Sequence, residues 1–132
     1  MLFRSNDTAT TEIYTCLDTL SLHDALPISA RGVRVSAVLL DGPDPVAYYD
    51  GRATAEQNWE EQTGLATLDT LGSWSATGDR PVGASPHGLG GLRYVTAVPL
   101  PDGTVRLYVE VTREDGAHDL RTVLVAADGT RA

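Results

Sequence analysis

Along most of the chain, apolar and polar residues alternate with a period of two. Val105, Leu107, Val109 and Val111 alternate with Thr104, Arg106, Tyr108, Glu110 and Thr112, the pattern of a strand that buries one face. Val33, Val35, Ala37 and Leu39 alternate in the same way with Arg34 and Ser36. Leu92 to Leu100 and Leu120 to Ala126 are rich in Val and Leu and predict two further strands. Val46 to Tyr49 and Leu65 to Leu68 predict shorter ones.

Turn chemistry punctuates these runs. Asp41-Gly42, Asp102-Gly103, Asp115-Gly116 and Asp128-Gly129 each set a Gly that tolerates positive φ beside an Asp that can bond the turn backbone. Three of them separate or follow Leu92–Leu100, Thr104–Arg113 and Asp119–Ala126 at hairpin spacing, which predicts a meander. Helix is favoured only over Ala53 to Gln62, where Thr54 and Gln57 stand at capping-box spacing. Gly72 to Gly91, rich in Gly, Ser and Pro, predicts a long loop of the kind that often carries function. The class expected is all-β, an antiparallel meander suited to a sandwich, a barrel or propeller blades.

The first 29 residues fall outside this pattern. Asn6 to Tyr14, Asn-Asp-Thr-Ala-Thr-Thr-Glu-Ile-Tyr, resembles the translation of a short-read sequencing adapter, AAT GAT ACG GCG ACC ACC GAG ATC TAC. Thr19 to Ile28 resembles the adapter's second constant part, with Thr15 to Asp18 in the index position. Residues 1–29 are therefore read as a non-native, disordered segment and residues 30–132 as the folded part. A secretory signal is a poor alternative, because Asp7, Glu12, Asp18 and Asp24 interrupt any apolar run. On this reading Cys16, the only cysteine, and the pair His23-Asp24 carry no chemical weight, and the cellular address stays open.

Charge narrows the partners. The chain carries a net charge of −8 and no Lys; setting aside residues 1–29 leaves nine Arg against fourteen acids. An acidic surface argues against nucleic acid, whose binding rests on clustered Lys and Arg. No run approaches the ~20 apolar residues of a membrane helix. No spacing of His, Cys or carboxylates predicts a metal site. Gly88-Leu89-Gly90-Gly91 lacks the strand–turn–helix context of a phosphate loop, so no cofactor is expected. Abundant Ala, Gly, Val, Asp and Arg are the composition of a high-GC bacterial coding sequence.

Local motifs then point to a family. Thr63-Gly64-Leu65-Ala66-Thr67-Leu68-Asp69-Thr70-Leu71-Gly72-Ser73-Trp74, followed by Gly78-Asp79-Arg80-Pro81-Val82, resembles a blade element of the five-bladed β-propeller glycosidases, glycoside hydrolase family 43 and its relatives. Ala47-Tyr48-Tyr49-Asp50-Gly51-Arg52 is similar to the inner strand preceding that element. Leu92-Arg93-Tyr94, Arg106 to Glu110 and Asp115 to Thr122 are similar to a closing blade. The departures are Thr67 in place of the usual Ser and Val109 where a second Tyr is common. The resemblance implies about two blades, the last ones, of a carbohydrate-active propeller. In that family three carboxylates from the first three blades perform the acid–base chemistry, and by this mapping they are missing here. The expected partner of the intact protein is a carbohydrate, which it binds or hydrolyses. A non-catalytic carbohydrate-binding module, or a truncated product without function of its own, are the alternatives.

Candidate binding residues are weighed against structural roles. Tyr49, Asp50 and Arg52 form the leading patch, with a strand-end turn at Asp50-Gly51 as the competing role. Glu110, on the polar face of its strand, either meets ligand or pairs with Arg93 or Arg121. His118 is followed by Asp119 in a predicted turn, but neighbours in extended chain point apart; His87 lies in the long loop. Trp59 is flanked by Glu56, Glu60 and Glu61, a set that either binds a sugar face or anchors a short helix with its glutamates in water.

Overall fold

The structure, a computed structural model, describes residues 31–40, 44–78 and 80–128. The N-terminal segment and the Asp41-Gly42 turn lie outside the described residues, as does Gly129. The described chain is all-β. Its strands are β1 (Gly32–Leu39), β2 (Val46–Arg52), β3 (Gln62–Leu68), β4 (Trp74–Ala76), β5 (Leu92–Pro99), β6 (Val105–Thr112) and β7 (His118–Val125).

They form one open, mostly antiparallel sheet in the order β1-β2-β3-β5-β6-β7, with β4 beside β3. Two meanders make it up, β1 to β4 and β5 to β7. They join where β3 divides its free side. Its C-terminal half pairs with β4 from Ala66 to Leu68, and its first residue, Gln62, makes a parallel bridge to Leu92 of β5. The junction is reinforced by Leu92 N–H donating to Glu61 O at 3.0 Å and by Gln62 Nε2 donating to Leu89 O at 3.2 Å.

The hairpin turns form as the Asp-Gly pairs predict. Gly103 and Gly116 adopt φ of 83° and 77°. Asp102 Oδ1 accepts the Thr104 N–H at 3.0 Å, and Asp115 Oδ1 accepts the Ala117 N–H at 3.1 Å. Gly supplies the left-handed conformation and Asp satisfies an otherwise unpaired donor. Asp69 does the same in the β3–β4 turn, accepting the N–H groups of Leu71 and Ser73 at 2.8 Å each. Trp74, which follows, is buried opposite Leu68.

Two clusters hold the strands. One joins both meanders: Val46, Tyr48 and Leu65 pack against Val95, Val105, Leu107, Val109 and Val125. The other lies on the opposite face of β1 to β4 and contains Ala47, Tyr49, Ala66 and Trp74. Both faces of β2 are therefore covered, which is why Val46 to Gly51 are buried without a break.

Four expectations change. No helix forms among the described residues. Ala53 to Trp59 is a run of bends and turns. Gln57 Oε1 does accept the N–H groups of Ala53 and Thr54, at 2.7 and 3.3 Å, so the cap is real. The segment is too short to repay helix nucleation, and Trp59 leaves helical space at φ 102°. The Gly72–Gly91 loop is interrupted by β4. Asp50 and Gly51 are not a strand-end turn, because the β2 ladder continues through Arg52. The alternation of Val33, Val35, Ala37 and Leu39 does not mark one face. A bulge between Val35 and Ala37 sends Val33 and Val35 to the Trp74 cluster and Ala37 and Leu39 to the larger one. An extra residue in one strand inverts every side chain beyond it.

Candidate functional site

The site grows from a second bulge. In β5 the register shifts between Arg93 and Thr96, and Tyr94 takes a left-handed φ of 56°. A bulky residue in that region is strained by roughly 1–3 kcal/mol and persists only where its surroundings impose it. Here the imposing group is Asp50. Its Oδ2 accepts the Tyr94 backbone N–H at 3.0 Å and Arg34 Nη2 at 3.2 Å. Its Oδ1 accepts the Thr63 hydroxyl at 2.8 Å. Asp50 is only 2 % exposed, so the three donors replace the water that a buried carboxylate would otherwise lack.

The bulge also turns Arg93 inward, 5 % exposed, between two carboxylates. Its Nη1 donates to Glu61 Oε2 at 2.7 Å and its Nε to Glu110 Oε2 at 2.8 Å. Burial works against the charge on Arg93, and the bonds to Glu61 and Glu110 more than offset it. Burial likewise opposes ionisation of Glu61, but the hydrogen bond from Arg93, a backbone hydrogen bond and the charges of Arg93 and Arg34 together outweigh it and hold the carboxyl below the usual range. That shift is opposite in sign to the one a general acid needs.

Aromatic rings border this network. The Arg34 and Arg93 guanidinium groups lie 4.3 and 4.4 Å from the Tyr94 ring centroid, and Arg93 lies 5.8 Å from that of Trp59. These are cation–π distances. Trp59 is 66 % exposed and Tyr94 39 %. Arg34, Asp50, Arg52 and Glu61 line an open cavity of about 250 Å³.

The Trp59 loop is tied down on both sides. His118 Nε2 lies 2.9 Å from Trp59 O. Glu60 Oε2 accepts the Gly91 N–H at 3.0 Å and the Thr112 hydroxyl at 2.8 Å. Glu60 and Glu61 therefore turn into the protein rather than into water.

The structure thus brings Asp50, Arg93 and Glu110 into one network, with Arg52 at its cavity and His118 holding its loop. Glu110 pairs with Arg93, one of its two expected partners. Arg52 Nη1 donates to Asn58 Oδ1. Tyr49 lies elsewhere, buried on the opposite face of β2 against Ala66 and Trp74. His118 and Asp119 diverge as neighbours in a strand do: His118 is the first residue of β7, not part of a turn, and Asp119 pairs with Arg113 and Arg121. His87 belongs to a separate open cavity of about 570 Å³ that also includes Arg113, Asp119 and Arg121. Sequence reasoning overlooked Arg34 and Tyr94. The visible signal was an Arg-Tyr pair interrupting a Val-rich strand, but only the bulge gives it meaning.

Among the described residues no three His, Cys, Asp or Glu side chains converge as a metal shell would, and no helix is long and apolar enough to cross a membrane. Compared with known proteins, the chain matches no family model, and no curated protein or solved structure is significantly similar to it.

Proposed function

We propose that this chain is part of a carbohydrate-active β-propeller protein related to glycoside hydrolase family 43, and that its own contribution is to bind a neutral sugar rather than to cleave a glycosidic bond. The observation that carries the binding reading is the pair of exposed rings, Trp59 and Tyr94, flanking one charged guanidinium. Sugars present apolar C–H faces that stack on aromatic rings, and hydroxyls that bond planar donors and carboxylate acceptors. Arg34, Glu61 and Glu110 supply both kinds of polar group at the edge of those rings. The cavity beside them, lined by Arg34, Asp50, Arg52 and Glu61 rather than by the rings, is about 250 Å³, smaller than pockets for drug-sized ligands and of a size for one sugar ring. Strained backbone at both aromatic residues, φ 102° and 56°, is characteristic of sites where geometry serves function.

Two further observations favour binding over hydrolysis in these residues. Glu61 is held in its ionised form by Arg93, and Asp50 is committed to three protein donors. Neither is placed to deliver a proton to a leaving oxygen. The propeller part of the reading rests on the motif residues. They form a hairpin in which Asp69 organises the turn and Trp74 is buried, inside a four-stranded antiparallel meander of the kind that makes a blade.

Titration of the chain with soluble neutral oligosaccharides, followed by tryptophan emission, tests the binding reading. Trp59 is exposed and Trp74 buried, so a saturable change is expected to report Trp59 and to disappear in Trp59→Ala and Tyr94→Ala. Binding that survives both substitutions, or no binding to any neutral glycan, would sink it. Genomic sequence upstream of the Ser29–Ala30 junction tests the propeller reading. Further blades bearing inner-strand Asp and Glu are expected; a frame that opens close to Val33 would leave a binding module alone.

A further inference from the structure

Hydrogen-bonding edges of a sheet are templates for further strands, and natural proteins protect them with bulges, brevity, Pro or Lys. The described sheet ends at three strands. β1 is interrupted by the bulge between Val35 and Ala37, and β4 is three residues long. β7 has no such device. It runs eight residues from His118 to Val125 with neither Pro nor Lys, and it stays in register with β6 at all eight pairs, from Thr112↔His118 to Val105↔Val125. It exposes apolar side chains as well: Leu120, 74 % exposed, and Leu124 on one face and Val123 on the other.

We propose that β7 is a dimerisation strand that pairs antiparallel with β7 of a second copy of this chain, about a two-fold axis through Leu120. The occupant follows from charge. Asp119 and Arg121 share the face of β7 that also carries Val123 and Val125, since they oppose Val111 and Val109 of β6. In a pairing centred on Leu120, each Asp119, which pairs with Arg113 and Arg121 of its own copy, also stands opposite Arg121 of the other copy. The axis thus extends these pairs into a charge cluster with two opposite-charge contacts between copies. Leu120 then meets its own counterpart on the other face. Side chains directly opposite across an antiparallel pair are close enough to interact. Moving the axis to Thr122 places Asp119 opposite Val125 and loses both ion pairs. The arrangement is isologous and closes on itself. Because β1 and β4 are protected, assembly stops at two copies instead of growing into a fibre.

Sedimentation equilibrium of the full chain, with two charge variants, decides the matter. Wild type is expected to show a reversible monomer–dimer equilibrium. Asp119→Arg alone and Arg121→Asp alone each set like charges opposite one another twice, and each should weaken the dimer by roughly tenfold. An equimolar mixture of the two variants restores opposite charges at both positions and should recover the wild-type affinity as a heterodimer. Amide exchange gives a reading that needs no substitution: protection of β7 N–H groups should rise with protein concentration. A monomer at every concentration would overturn the proposal, as would open-ended aggregation, a dimer indifferent to both substitutions, or a mixture no tighter than its components.

Discussion

The carboxylate of Asp50 accepts the backbone N–H of Tyr94 at 3.0 Å, across 44 residues of sequence. That one bond links the two meanders and fixes the conformation of an exposed aromatic residue. It makes Asp50 a positioning group for the aromatic surface and not a free carboxylate.

Asp50→Ala should therefore destabilise the chain by about 2–4 kcal/mol, since it strands the Tyr94 N–H and removes the partner of Arg34. Denaturant unfolding measures the loss. A change below about 0.5 kcal/mol would mean that Asp50 does not hold the bulge.

Trp59 separates stability from binding. It is mostly exposed and sits at φ 102°, a conformation that costs a bulky residue and suits glycine. Trp59→Gly is expected to leave stability unchanged or raise it by about 1 kcal/mol while abolishing glycan binding. Paired thermal melts and titrations check both halves, and a large destabilisation would show the indole to be structural.

Gly64 lies beneath the Tyr49 ring, and a Cβ there would run into the ring's outer atoms. The ring is buried against Ala66 and Trp74 and has nowhere to turn. Gly64→Ala should cost roughly 1–3 kcal/mol by overpacking, with Tyr49→Leu in the same chain recovering part of it. Unfolding midpoints of the two variants supply the measurement.

Tyr48 governs behaviour at alkaline pH. Burial, with the Asp128 charge adding to it, pushes its phenol up to about 12. The folded value lies above the ordinary one of about 10, so its contribution is fully present below pH 10 and disappears as pH rises to 12. Stability should fall by up to roughly 2–3 kcal/mol over that window. The Tyr48 hydroxyl has no hydrogen-bond partner among the described residues. Tyr48→Phe should therefore be neutral or slightly stabilising at pH 7 and should blunt the alkaline loss. Urea midpoints from pH 8 to 12 test this, and an identical alkaline slope in the variant would contradict it.

Local chemistry determined the class, most of the strands and the turns. The β6 alternation, the Asp-Gly pairs and the strands around Val33, Tyr48, Leu65 and Leu92 are set by side-chain period and turn preference, which act within a few residues and need no distant partner. Glu110 could be narrowed to a pair with Arg93 or Arg121 because cross-strand neighbours follow from a meander, and the register of β5 on β6 selects Arg93. What tertiary structure decided is where the period breaks. The bulges at Ser36 and Tyr94 invert the faces of β1 and β5, and the second is held by the Asp50 carboxylate, 44 residues away. Other long-range bonds, from Gly91 and Thr112 to Glu60 and from Arg93 to Glu61, turn those two glutamates inward. A local pattern cannot encode which carboxylate will be buried 44 residues from the N–H it holds, because that depends on how the two meanders of one sheet close on a shared core.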